Sequence, residues 1–183
     1  IQMAEAVRKV AEKKKVLFTS IMDIPEVDWL VEGFAVKEGI TLLFGDAGVG
    51  KTSLMLQLIS SLNEGKPLLS LDVRQAKVLL VEQDETPPLL RTHIERMLPV
   101  CPSLRWLEVP NGVVQWDNNR ANFIGSLLGD LIQYSLSKLV VIDSMTSLGI
   151  ADINHPNVSV LFDKLRDITR KYRCGFILLH HPN

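Results

Sequence analysis

The chain has 183 residues, 46% of them hydrophobic and 22% charged, and a formal net charge of -1. That length suits one well-packed α/β domain and is short for two. The near-cancelled charge argues against coating nucleic acid by bulk electrostatics, although a few loop residues inside a ring's channel would suffice to bind it.

No apolar run approaches the roughly 18–20 residues that span a bilayer, so no membrane partner is expected. The sequence starts at Ile1 with no secretory leader, which leads us to expect a piece of something longer. Cys101 and Cys174 stand far apart without metal-like spacing, as suits buried thiols in a reducing cytoplasm.

In chain order, residues 1–22 read as an N-terminal helix or tail, charged and weakly amphipathic over 1–15, ahead of a core over 23–183. Between Asp23 and Gly33 the chain reads as an extended approach anchored by Trp29 and Leu30. Four short apolar runs follow, at Ile40–Phe44, Val78–Val81, Leu139–Ile142 and Phe176–Leu179. Uninterrupted runs of this length suit strands buried on both faces of a parallel sheet. Helical spacing separates them over 51–64, about 88–98, about 119–136 and about 157–172. Gly65 and Pro67 stop the first helix, and Leu161, Leu165, Ile168 and Tyr172 form one stripe on the last. Leu104–Trp116 breaks the rhythm and is expected to add one or two strands around the Asn111-Gly112 turn. The fold class is therefore α/β, a doubly wound, mainly parallel sheet with flanking helices.

One motif carries the chemistry. Gly45-Asp46-Ala47-Gly48-Val49-Gly50-Lys51-Thr52 fits the pattern GxxxxGK(S/T), with Ser53 next in line. Glycines let the backbone turn tightly, so successive N–H groups point at the phosphates of a nucleotide. Lys51 adds a cation, Thr52 offers a hydroxyl to Mg²⁺, and the following helix presents its positive dipole end. Strand, loop and helix occur here in the order the motif requires.

The strand Leu139–Ile142 ends in Asp143, the form taken by a carboxylate that holds Mg²⁺ opposite the loop threonine. Val78–Val81 runs into Glu82-Gln83-Asp84-Glu85-Thr86-Pro87, three carboxylates at a strand's carboxyl end. Ligands bind at that edge of open α/β sheets, so one of the three is expected to orient an attacking water. The same residues would also favour the start of the next helix, and both roles can hold at once.

From about Trp29 to Asn183 the chain resembles RecA-like ATPases, and within them the RepA-type hexameric replicative helicases of plasmids and phages. The resemblance rests on DWLVEGF, GDAGVGKT, EQDETPP followed by Arg91, LVVIDSMTSL, the DIN at Asp152–Asn154, and LLHHPN. Asp84-Glu85-Thr86-Pro87 is also similar to the EETP of KaiC-type clock ATPases.

The resemblance implies ATP and Mg²⁺ as ligands, a homo-oligomeric ring, such as a hexamer, and DNA as a partner. It places the catalytic carboxylate at Asp84, one methylene shorter than the family's glutamate, with Glu85 second and Glu82 third. It makes His181 the sensor of the γ-phosphate, with His180 its neighbour. It also implies that the core's final strands, and an arginine finger, lie beyond Asn183. Arg96 is expected to be an ordinary exposed residue. Two other readings stay open: a KaiC-like nucleotide switch that binds proteins, and a strand-exchange recombinase.

Overall fold

The computed structural model describes residues 24–82, 86–97, 105–107, 118–145 and 158–181. The tail expected over 1–22 and the strand expected at Val113–Trp116 lie outside them. The elements run β1 (Trp29–Val31), β2 (Ala35–Val36), β3 (Ile40–Phe44), α1 (Lys51–Glu64), β4 (Val78–Glu82) and α2 (Pro87–Met97). They continue with β5 (Arg105–Leu107), α3 (Asn118–Ser135), β6 (Leu139–Asp143), α4 (Val158–Tyr172) and β7 (Gly175–His180).

β3, β7, β6, β4 and β5 form one sheet in that order, and every pairing in it is parallel. Side chains alternate between its faces, so β3, β4, β6 and β7 each feed two cores. On one face, Val78, Leu80, Val141, Ile177 and Leu179 pack with Met55, Leu58, Ile59 and Leu62 of α1 and Leu90 of α2. On the other, Leu79, Val81, Val140, Ile142, Phe176 and Leu178 pack with Leu128 and Ile132 of α3 and with α4. The α4 contribution is Leu161, Leu165 and Ile168, with Tyr172 partly buried beside them, which is the stripe its spacing predicts. Burial on both faces explains why β4, β6 and β7 read as unbroken apolar runs.

Helix ends follow local chemistry. Gly65 caps α1 in the left-handed region at φ 67, a conformation that glycine adopts without a Cβ penalty. At α2, Pro87 takes the first helical position, where its missing N–H costs nothing, and the Thr86 carbonyl accepts from Leu89 and Leu90.

β1 and β2 form an antiparallel hairpin that closes the amino-terminal end of the sheet. A Cβ on Gly175 would lie 2.2 Å from the Val36 carbonyl oxygen, so only glycine lets β7 start beneath the hairpin. Asp28 ties the hairpin to the segment before β4 by accepting from Lys37 Nζ at 2.6 Å and from Arg74. Chiefly the Lys37 hydrogen bond, with Arg74 behind it, holds the Asp28 carboxyl below its ordinary range. Cys174 is fully buried, and desolvation pushes its thiol up to about 12, so it is an inert packing group.

Candidate functional site

Because the sheet is parallel, the carboxyl ends of its strands share one edge. Phe44, His180, Asp143 and Glu82 stand there side by side on β3, β7, β6 and β4, with Phe44 opposite His180 and Glu82 opposite Asp143. Three side chains singled out in the sequence, His180, Asp143 and Glu82, thereby share one edge, which is where open α/β sheets bind ligands.

β3 ends at Phe44 and the glycine-rich loop turns directly into α1. Gly48 and Gly50 take positive φ values of 77 and 91, conformations that a side chain would strain. A Cβ on Gly45 would sit 3.2 Å from Val49 Cγ2 and 3.5 Å from Lys51 Cδ, so this glycine keeps room for the lysine stem. Residues 46–50 are exposed, with Asp46, Ala47 and Val49 among them. Gly50 caps α1 without any side-chain hydrogen bond, and no acidic residue occupies the helix's first turn. An uncapped N-terminus leaves backbone N–H groups and the positive dipole end to an anionic ligand.

Lys51 is buried, and its Nζ donates to the carbonyls of Gly45 at 2.7 Å and Asp46 at 2.8 Å. An ammonium has three donors, so the loop fixes its position and leaves capacity for one more acceptor. Ser53, in the helix's first turn, is exposed.

Thr52 Oγ1 donates to Asp143 Oδ2 at 2.6 Å, joining the loop to the end of β6 across 91 residues of sequence. A hydroxyl on a carboxylate is a strong, charge-assisted hydrogen bond, and it holds two hard oxygens together. Odd-numbered positions of β6 face α1, which puts Asp143 on the loop's side of the sheet. The same alternation in β4 puts Glu82 there too.

Glu82 and Asp143 are 1% and 3% exposed, and neighbouring strands run about 4.8 Å apart, so two buried carboxylates flank the loop. Among the described residues, no group of three or more His, Cys, Asp or Glu side chains could hold a metal alone. The oxygens of Thr52 and Asp143 fit Mg²⁺ of the kind completed by water and phosphate oxygens.

Asp84 and Glu85 lie outside the described residues. β7 includes His180, which is buried and whose alternation partners Phe176 and Leu178 belong to the α3/α4 core. Ile177 and Leu179 belong to the opposite core, and the half-buried His181 follows directly after the strand. Arg96 is exposed as expected, and Arg91 pairs with Glu95 on the surface of α2, which raises its pKa through that hydrogen bond. The sequence reading missed two lateral neighbours, Phe44 beside His180 and Glu82 beside Asp143. Both pairings follow from the lateral order of the strands, which no local sequence signal carries.

A family model described as an AAA domain matches residues 9–183. No curated protein matches in sequence. Among solved structures, the chain is similar to a KaiC-like protein from the hyperthermophilic archaeon Pyrococcus horikoshii OT3. The TM-score is 0.58 and the identity 20%, over 87% of this chain and 70% of that one. At that identity the likeness speaks for the fold, which is RecA-like. With the family match covering nearly its whole length and the phosphate loop joined to Asp143, the chain belongs to the AAA domain family as a RecA-like P-loop ATPase domain.

Proposed function

We propose that this domain binds ATP with Mg²⁺ and hydrolyses it, as part of a ring-forming motor that acts on DNA. The observation that carries the nucleotide reading is the Thr52–Asp143 hydrogen bond at 2.6 Å, beside a lysine already seated on the loop. The loop amides and Lys51 bind the phosphates, and Thr52 with Asp143 holds the metal. Magnesium bound there would neutralise charge developing on the transferring phosphoryl group. Asp84, with Glu85 and Glu82 as competitors, orients and deprotonates the attacking water. His181 follows β7 and registers whether the γ-phosphate is present.

The DNA reading rests on the sequence resemblance to RepA-type helicases. A second reading, a KaiC-like switch that binds proteins, is favoured by the net charge of -1 and by the KaiC-like structural neighbour. Single-stranded DNA separates them. A motor on DNA shows ATPase stimulation that weakens as salt rises, since contacts to phosphates release counterions. ATP hydrolysis with no stimulation at any salt concentration contradicts the DNA reading and favours the switch.

A further inference from the structure

Phe44 is an unusual end to a core strand. Ile40 and Leu42, the preceding members of its stripe, pack against the α3/α4 core. Phe44 continues that stripe to the carboxyl edge but remains 50% exposed. Its ring meets the imidazole of His180 edge to face, with centroids 5.4 Å apart and planes at 87°. The two residues are register partners in β3 and β7, and His180 is only 3% exposed. The ring therefore stands between solvent and the imidazole on the open side of the edge.

The positions of the two residues in the chain give this contact its meaning. Phe44 is bonded to Gly45, whose carbonyl accepts from Lys51 Nζ at 2.7 Å. His180 is bonded to His181, the residue proposed above to register the γ-phosphate. A movement at the loop entrance thus reaches the last residue of β7 through one side-chain contact in addition to the backbone ladder. Edge-to-face geometry favours a particular ring orientation, because the positive edge of one ring points at the negative face of the other. An aliphatic side chain of similar volume would fill the space without fixing that orientation.

We propose that Phe44 is a positioning residue: its ring orients His180 and so couples the phosphate loop to the histidine pair that ends β7. Phe44 does not reach the reacting atoms from the α3/α4 side of the sheet. Its role is to keep the end of β7 responsive to what the loop holds. This role rests on the nucleotide reading of the site given above.

Histidine ring resonances, assigned with His180→Gln and His181→Gln, test it, recorded before and after adding Mg²⁺ with ADP or a non-hydrolysable ATP analogue. In the wild-type protein the Phe44 ring current displaces the His180 signal, and nucleotide shifts both histidines. In Phe44→Leu we expect the displacement to vanish and the nucleotide response of His181 to collapse. We also expect kcat to fall about tenfold while KM for ATP stays within about twofold. Phe44→Tyr keeps an aromatic ring and restores both properties, which a merely space-filling role would not require.

Circular dichroism and the thermal midpoint confirm that each variant is folded, and Phe44→Met replaces Phe44→Leu if the latter is not. A wild-type protein that binds no nucleotide overturns the nucleotide reading and this role with it. Normal binding, with kcat and the His181 response undiminished in the folded aliphatic variant, overturns this role alone.

Discussion

At Lys51 the loop fixes the ammonium, because the carbonyls of Gly45 and Asp46 accept two of its three hydrogens. Preset charge of this kind lowers the cost of organising the site when ligand binds. The carboxylates divide along similar lines. Asp143 is fixed by Thr52, and Glu82 is held in β4 beside it, so both are suited to supporting a metal rather than moving with a water. Asp84 follows the strand and is the proposed base. Asp84→Asn should therefore lose turnover by about 10²–10⁴-fold while still binding ATP. Glu82→Gln should raise the Mg²⁺ concentration needed for activity and lower the rate by roughly 10–100-fold. Steady-state rates across a magnesium series measure both effects, and normal hydrolysis in both variants contradicts this division.

Among the elements, the amino-terminal hairpin shows how tightly local choices constrain the sheet. Gly175→Ala drives a methyl group into the Val36 carbonyl at the start of β7, and we expect a loss of about 1–3 kcal/mol or more in urea unfolding. An unchanged midpoint contradicts the packing described for the hairpin. Asp28 anchors the same hairpin with a folded pKa below the ordinary 3.8. Its contribution is present above that pH and lost as pH falls through the lowered value. The group is exposed, so the effect is modest, and Asp28→Asn should make the acid limb of Tm against pH shallower. An acid limb identical to wild type contradicts the anchor.

Much of the element pattern was legible in the sequence, and the physical reason is burial. α1 runs over Lys51–Glu64 as its spacing and Gly65 require, and β4, β6 and β7 each exceed their apolar cores by one or two residues. The extra residues at the carboxyl ends are Glu82, Asp143 and His180, polar side chains at the ligand edge, which apolar patterning cannot assign to a strand. Arg105–Leu107 pairs with β4, although three residues give too short a period to identify by themselves. Lateral order was hidden altogether. Nothing local in ITLLF or GFILLH says that β3 and β7 are neighbours, so the contact of Phe44 with His180 could not be read before the topology.

For the whole molecule, strand order does the assembling. β7 lies between β3 and β6, so its carboxyl end sits between the strand that leads into the glycine-rich loop and the strand that ends in Asp143. α1 and α2 cover one face and α3 and α4 the other, leaving the carboxyl edge, where Glu82, Asp143 and His180 stand, as the place for a ligand. Among the described residues, no helix is long and apolar enough to cross a membrane. The proposed ring formation and action on DNA would depend on this edge holding a nucleotide. The most direct measurement is calorimetric titration of ATP with Mg²⁺ into the wild-type protein and Lys51→Ala. The account predicts saturable one-site binding by the wild type and an affinity loss of about a hundredfold or more in the folded variant. Equal affinity in the two proteins, or no binding by the wild type, would contradict it.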